Sequence, residues 1–195
     1  MIHIHIRHPF LLSCAVLVVV FFDGTGIVQW SLLAILLHEA GHIMLYNLLH
    51  CGRPILQIGW GGIALHWNTS GIPVHRQVMI LLAGPLINIA AAILSFIICT
   101  QSFRLTVVLF GGINLLLGLF NLLPLGFLDG GRLLELFLSA LLPANRTETV
   151  LLLFQTICLI LISLFLLFFT TEWTTRIALL LFLGYYCGKS FCSKN

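Results

Sequence analysis

The chain has 195 residues, of which 60% are hydrophobic and only 8% are charged, and its formal net charge is +3. Soluble domains carry about 25% charged residues, so this composition excludes a soluble globular fold and indicates an integral membrane protein. The basic residues form no stripe or cluster, which excludes a nucleic-acid-binding protein.

The first third of the chain predicts two spanning helices and a small β element. Residues 2–6 alternate Ile and His, which is typical of a strand. Apolar runs predict spanning helices over about 9–22 and 28–50. Two short apolar runs within about 54–68 then surround a glycine pair and predict a β-hairpin. We expect Gly61 and Gly62 of that hairpin to allow close approach of a bound substrate.

The remainder of the chain predicts four more spanning helices, over about 77–99, 105–122, 148–169 and 174–188. The predicted fold is therefore an all-α polytopic membrane protein with about six transmembrane helices and a small cytoplasmic-side β-hairpin or sheet. We expect one domain over residues 1–195.

Basic residues indicate how the predicted helices are oriented in the membrane. With the N-terminus inside, seven of the nine Lys and Arg residues fall on the cytoplasmic side, as the positive-inside rule requires. Only Arg104 and Arg176 fall outside. The prediction is a multi-pass cell-membrane protein whose N- and C-termini and hairpin are cytoplasmic. The loop that contains Asp129, between the spans predicted over 105–122 and 148–169, is predicted on the same side.

The second predicted helix carries His38-Glu39-Ala40-Gly41-His42. On a helix, His38 and His42 lie one turn apart on the same face, so both imidazoles reach one metal ion. Glu39 beside them has the position of a general base. Ionisable side chains in a membrane helix are costly and usually functional, so this segment predicts a catalytic zinc site.

A catalytic zinc site usually has three protein ligands and an open position for water. Among the six acidic residues, Asp129 alone follows a broken apolar stretch, which contains Pro124 and Gly126 and leads into a glycine pair. Irregular backbone at membrane depth is tolerated only where it is buried in protein or lines a cavity. We therefore predict that Asp129 is the third ligand of Zn²⁺.

These motifs together resemble those of the site-2 protease (M50) family of intramembrane zinc metalloproteases. His38–His42 is similar to the family's HExxH helix. Residues 121–124 and 128–130, Asn-Leu-Leu-Pro and Leu-Asp-Gly, are similar to its NxxP and LDG elements, and residues 83–88, Ala-Gly-Pro-Leu-Ile-Asn, to its AGPxxN element.

The resemblance implies a zinc endopeptidase that cleaves a membrane-tethered or transmembrane protein near the cytoplasmic face. It implies that His38, His42 and Asp129 bind zinc and that Glu39 is the catalytic base. It also implies that Asn121 lies near the active site and contacts the substrate or the oxyanion. For Asn88 two roles stay open, a substrate contact and a hydrogen bond between helices.

The opening segment Ile4–Phe10, the six-helix layout and the expected lack of a PDZ domain look most like the stage IV sporulation FB branch. That branch implies a pro-sigma factor as substrate, an inhibitory membrane partner and the mother-cell membrane that engulfs the forespore. Its members commonly carry a C-terminal CBS domain, which is not expected in residues 1–195.

Two alternatives stay open at this point. A different membrane zinc peptidase of the CAAX type would use a Glu as third ligand, and Glu135 would then replace Asp129. A non-proteolytic metal-binding transporter or scaffold is the other alternative. A transporter would show repeated halves and ionisable residues on several spans.

Overall fold

A computed structural model of the chain describes residues 3–6, 21, 23–51, 55–59, 62–66, 71–126 and 128–169. The chain divides into two compact units, residues 1–122 and 123–195. The first unit holds a small sheet and three helices, and the second holds two helices among its described residues.

The sheet of the first unit consists of β1 (His3–Ile6), β2 (Ile55–Gly59) and β3 (Gly62–His66). β2 is central, pairs in parallel with β1 and pairs antiparallel with β3. The antiparallel ladder ends where Gly59 lies opposite Gly62. β3 therefore forms one edge of the sheet.

Three apolar helices pack pairwise in the first unit: α1 (Ile27–Leu48), α2 (Val74–Gln101) and α3 (Leu105–Asn121). The face of α3 that packs on α2 is lined by small residues. A Cβ added at Gly118 would lie 3.1 Å from the carbonyl oxygen of Pro85, and one added at Gly111 would lie 2.9 Å from Cβ of Ser95. The two backbones therefore approach closely, as is common between membrane helices.

Both ends of α1 are fixed by local hydrogen bonds. Before the helix, the Asp23 carboxylate accepts hydrogen bonds from the Thr25 hydroxyl and N–H and from the N–H of Val28, at 2.6, 3.0 and 2.7 Å. These bonds, the Thr25 hydroxyl first among them, lower the pKa of Asp23. Val28 N–H is one of the donors that the first turn of a helix leaves without a backbone acceptor, so Asp23 supports the start of α1.

At the other end, α1 closes in a Schellman motif. His50 N–H donates to the Asn47 carbonyl at 3.1 Å and Cys51 N–H to the Tyr46 carbonyl at 3.2 Å. That motif requires a left-handed residue after the helix, usually glycine. Here His50 occupies the position with φ of 52°. The buried Tyr46 hydroxyl also donates to the Cys51 carbonyl at 2.7 Å, which holds the chain against the helix end.

The second unit contains α4 (Asp129–Leu141) and α5 (Ala144–Phe169), which contact each other. Its core contains Leu125 and Leu128, which precede α4, and Leu159 of α5. Gly131 lies in the first turn of α4 with its Cα directly against the Leu125 carbonyl oxygen, so that no Cβ fits there. Glycine thus allows the irregular segment before α4 to fold back onto the helix start.

The predicted fold class is wrong in its helix count. Within the described part of the chain, five helices are present, and three of them are long and apolar enough to cross a membrane: α1, α2 and α5 over Ala144–Phe165. α3 is apolar but has only 17 residues, which is short of the roughly 20 that a span needs. The spans predicted over about 9–22 and 174–188 lie almost entirely outside the described residues.

The predicted β element also needs correction. The prediction was a small hairpin or sheet with the hairpin over about 54–68, whereas the strands form one three-stranded sheet in which β2 lies between β3 and the N-terminal strand β1. The hydrophobic pattern had identified the strands one by one, but pairing between segments about fifty residues apart depends on how the helices between them fold. The described helices make this a helical membrane protein.

Candidate metal centre

His38 and His42 lie on the buried side of α1, where α1 packs against α2. Their side chains are 5% and 3% exposed, although this helix is otherwise largely apolar. The four-residue spacing brings the ring centroids to 4.7 Å and the rings nearly perpendicular, at 83°. Burial of two imidazoles in such surroundings requires a polar partner for each ring nitrogen.

The first such partner belongs to the main chain of α2. Nδ1 of His42 lies 2.7 Å from the carbonyl oxygen of Ile80. A carbonyl only accepts hydrogen bonds, so Nδ1 of His42 carries the proton and donates it. In the neutral ring, Nε2 of His42 is then unprotonated and has a lone pair for a metal.

His38 has a side-chain partner, the amide of Asn88 on α2. Nδ1 of His38 lies 2.7 Å from Oδ1 of Asn88, while Nδ2 of Asn88 donates to the Ala34 carbonyl at 3.0 Å and to Oδ1 of Asn114 at 2.8 Å. Since the Ala34 carbonyl cannot donate, the Asn88 amide has its NH₂ on that side and its oxygen toward His38. Nδ1 of His38 is therefore the donor, which in the neutral ring places the lone pair on Nε2 of His38.

Asn114 of α3 supports the same orientation of the Asn88 amide. Its Nδ2 donates to the Phe110 carbonyl at 2.9 Å, so its Oδ1 faces Asn88 and accepts. Asn88 and Asn114 are both 0% exposed. Both amide hydrogens of Asn88 are thus engaged by acceptors on α1 and α3, and its oxygen is directed at His38.

In the neutral rings, these hydrogen bonds place the lone pair of each histidine on Nε2. Nε2 of His38 and Nε2 of His42 are 3.1 Å apart. One cation could therefore be bound by both nitrogens. Two imidazole ligands at about 2.0–2.1 Å from a tetrahedral zinc ion are roughly 3.3 Å apart. The histidine pair therefore fits a zinc ion in both protonation and spacing.

Gly84 of α2 provides the space in which the two rings meet. A Cβ at this position would overlap Nε2 of His42 and would lie 2.7 Å from Cε1 of His42 and 2.9 Å from Cε1 of His38. On α1, Gly41 does the same for the packing of the helices, since its Cβ would lie 2.8 Å from the Ala83 carbonyl oxygen. Glycine at both contacts lets the histidine rings lie directly on the α2 backbone.

The acidic residues predicted for the site are on two different helices. Glu39 follows His38 on α1 and is half-buried. Asp129 is the first residue of α4, in the second unit, and its side chain is buried. Leu128 occupies the N-cap position of that helix. The rival residue Glu135 lies on the exposed side of α4.

The residues predicted to bind substrate lie in different elements of the fold. Asn121 is the last residue of α3, and its Nδ2 donates to the Leu117 carbonyl of its own helix at 2.9 Å. Gly62 is the first residue of β3, and Gly61 lies outside the described residues. Asn88 is buried, and its Oδ1 lies 2.7 Å from Nδ1 of His38.

Three contributors to this site were not predicted from the sequence: the Ile80 carbonyl, Gly84 as the contact for both rings, and Asn114. Asn114 could have been identified, because it is a polar residue in the middle of an apolar segment. The Ile80 carbonyl could not have been identified, because every residue has one.

Known proteins are similar to this chain in sequence and in fold. Residues 99–164 match the sequence model of peptidase family M50. The chain is 30% identical over 148 residues to stage IV sporulation protein FB of Bacillus subtilis (strain 168), which covers 74% of this chain and 51% of that protein. The chain thus spans about half the length of this relative.

Among solved structures, the site-2 protease from Methanocaldococcus jannaschii is similar with a TM-score of 0.62 and 20% sequence identity. The similarity covers 92% of this chain and 85% of that chain. At this identity the likeness concerns the fold.

Proposed function

The chain belongs to peptidase family M50, and from this premise we propose that it is an intramembrane zinc endopeptidase. The observation that carries the proposal is the histidine pair of α1, whose Nδ1 atoms bond to Asn88 and the Ile80 carbonyl and whose two Nε2 atoms are 3.1 Å apart within an apolar helix. Glu39 on the next position of the same helix supports hydrolysis over simple metal storage, because an HExxH helix carries its general base there.

Each residue of the candidate metal centre has a defined role in the proposed reaction. His38 and His42 hold the zinc ion through Nε2. Bound zinc supplies an activated water and a positive charge that polarises the scissile carbonyl. The Glu39 carboxylate accepts the proton of the attacking water and passes it to the leaving amine. A substrate helix must unwind at the cut, because its carbonyls are otherwise held in helical hydrogen bonds.

We propose Asp129 as the third ligand. Its support is the sequence motif in which it lies, together with its burial at the start of α4. A carboxylate oxygen is a usual ligand of zinc beside histidine. Glu135 is the weaker candidate, because it lies exposed on the same helix.

The finer features of the function are proposed on the family resemblance. Substrates are membrane-tethered or transmembrane proteins cut near the cytoplasmic face, and Asn121, Gly61 and Gly62 contact them. The similarity to a sporulation protein supports a role in sporulation with a pro-sigma factor as substrate and an inhibitory membrane partner. The distribution of basic residues supports cytoplasmic N- and C-termini.

The central experiment compares the purified protein with its Glu39→Gln variant on a membrane-tethered substrate. Zinc content is measured in both by elemental analysis. We expect equal zinc in both proteins and cleavage only by the unaltered one, because Gln cannot accept the proton. Cleavage by the variant at the normal rate would refute Glu39 as the base, and a metal-binding protein without cleavage in either form would indicate a transporter or scaffold.

A matched pair of variants on α4 tests the third ligand. Asp129→Asn should lose most bound zinc and all cleavage, whereas Glu135→Gln should retain both. The reverse result would favour a zinc peptidase with a Glu ligand and would exclude Asp129.

A further inference from the structure

We propose that Asn88 is a positioning residue that fixes the tautomer of His38, and that Asn114 holds Asn88 in the orientation needed for this. The inference rests on the proposed zinc function and assigns to Asn88 a role other than the substrate contact expected from sequence. All of its participants, on α1, α2 and α3, lie in the first unit.

The need for such a residue follows from the spacing of the two rings. With Nε2 atoms 3.1 Å apart, the metal-free pair has a competing arrangement. If His38 placed its proton on Nε2, that proton would be donated to Nε2 of His42. This hydrogen bond within the pair would occupy both lone pairs that a zinc ion requires. Metal binding would then have to break it.

Of the two histidines, only His38 can move its proton from Nδ1 to Nε2. Nδ1 of His42 is bonded to the Ile80 main-chain carbonyl, which accepts and cannot donate. His42 thus has its proton on Nδ1 whatever side chains surround it. Nδ1 of His38 instead depends on the Asn88 side chain, which has an acceptor at one end and a donor at the other. The orientation of this amide decides which tautomer His38 adopts.

Two contacts fix the amide in the required orientation. The Ala34 carbonyl and Oδ1 of Asn114 both accept from Nδ2 of Asn88, at 3.0 and 2.8 Å. A flipped amide would place its oxygen against these two acceptors and its NH₂ against Nδ1 of His38. Asn114 is itself fixed by its bond to the Phe110 carbonyl. The chain of hydrogen bonds therefore runs from the α3 backbone through Asn114 and Asn88 to Nδ1 of His38, the ring nitrogen that does not face the metal.

The same contacts argue against a direct role of Asn88 in substrate binding. Asn88 is 0% exposed, and both of its amide hydrogens are already donated to protein acceptors. A substrate group would have to displace a helix to reach it. In metal sites generally, loss of a residue that hydrogen-bonds a metal-binding histidine and orients its ring typically lowers metal affinity 10- to 100-fold.

The test measures zinc affinity by chelator competition and the His38 tautomer by ¹⁵N NMR of the metal-free protein, with His38 signals identified by their loss in a His38→Gln variant. The variants are Asn88→Leu, in which the side chain keeps the branched heavy-atom shape of Asn but has no acceptor, and Asn114→Leu. Ser95→Ala is the matched control, since Ser95 is also buried on α2 but donates only within its own helix, to Ala91 at 2.7 Å.

In the unaltered protein, we expect the proton of His38 on Nδ1. Asn88→Leu should move it to Nε2 and lower zinc affinity 10- to 100-fold, Asn114→Leu should act in the same direction, and Ser95→Ala should change neither quantity. An Nε2 proton on His38 in the unaltered protein would overturn the inference even if every variant failed to fold. Unchanged affinity in Asn88→Leu would also overturn it, whereas absence of zinc binding by the unaltered protein would instead refute the proposed zinc function.

Discussion

Substitution of Gly84 by Ala should displace the histidine pair without altering any polar group. The added Cβ would lie 2.7 Å from Cε1 of His42, and an ordinary contact begins at 3.4 Å. The ring of His42, whose Nε2 lies closer still, must therefore retreat by more than about 0.7 Å and that of His38, at 2.9 Å, by about 0.5 Å. Metal–ligand distances tolerate only about ±0.2 Å. Both rings thus leave the range in which they bind one ion.

We expect zinc affinity to fall at least 10- to 100-fold, which corresponds to about 1.4–2.7 kcal/mol. Overpacking should also lower the free energy of unfolding by about 1–3 kcal/mol. Affinity is measured by chelator competition and stability by thermal unfolding in detergent.

Two other glycines separate the effect on the metal from the effect on packing. Gly111→Ala on α3 places a Cβ 2.9 Å from Cβ of Ser95 on α2, so it should lower stability and leave zinc affinity unchanged. Gly112→Ala meets no atom within 4 Å and should stabilise α3 by about 0.5–1 kcal/mol. Zinc affinity of Gly84→Ala equal to that of the unaltered protein would refute the placement of the rings on α2.

Three further changes test the local structure, each by unfolding in detergent. His50→Gly should stabilise the protein by about 1 kcal/mol, because His50 has a φ of 52°, and His50→Ala should bring no such gain; equal effects would contradict the left-handed helix end. Asp23 has a lowered pKa, so it stabilises the fold above about pH 4 and loses this contribution as the pH falls through its folded-state pKa. The stability difference from Asp23→Asn should therefore shrink on acidification, and a difference independent of pH would argue against the Asp23 turn. Gly131→Ala forces a Cβ into the Leu125 carbonyl and should cost about 1–3 kcal/mol; a stability like that of Gly112→Ala would contradict this contact.

The sequence alone was sufficient to predict the histidine pair, because a four-residue spacing on a helix determines which side chains share a face. It also identified the irregular segment before α4. It could not predict the protonation of the two rings. That depends on the Ile80 carbonyl and on the Asn88 amide, which approach from another helix and are placed by packing.

The count of spanning helices failed for a related reason. Residues 105–122 form an apolar run, but α3 ends at Asn121 after 17 residues. Leu123, Leu125 and Leu128, which follow, belong to the core of the second unit. A run of apolar residues indicates burial or lipid contact without distinguishing them.

The two histidines of the centre have different kinds of orienting partner, one a main-chain carbonyl and the other a side-chain amide. Any residue at position 80 offers the same carbonyl, so substitutions there should affect the protein only through packing of its buried side chain. Position 88 should accept only residues with a short acceptor group. A saturation scan of both positions under selection for activity would therefore show a hydrophobic preference at one and a hydrogen-bonding preference at the other, although both serve the same metal site.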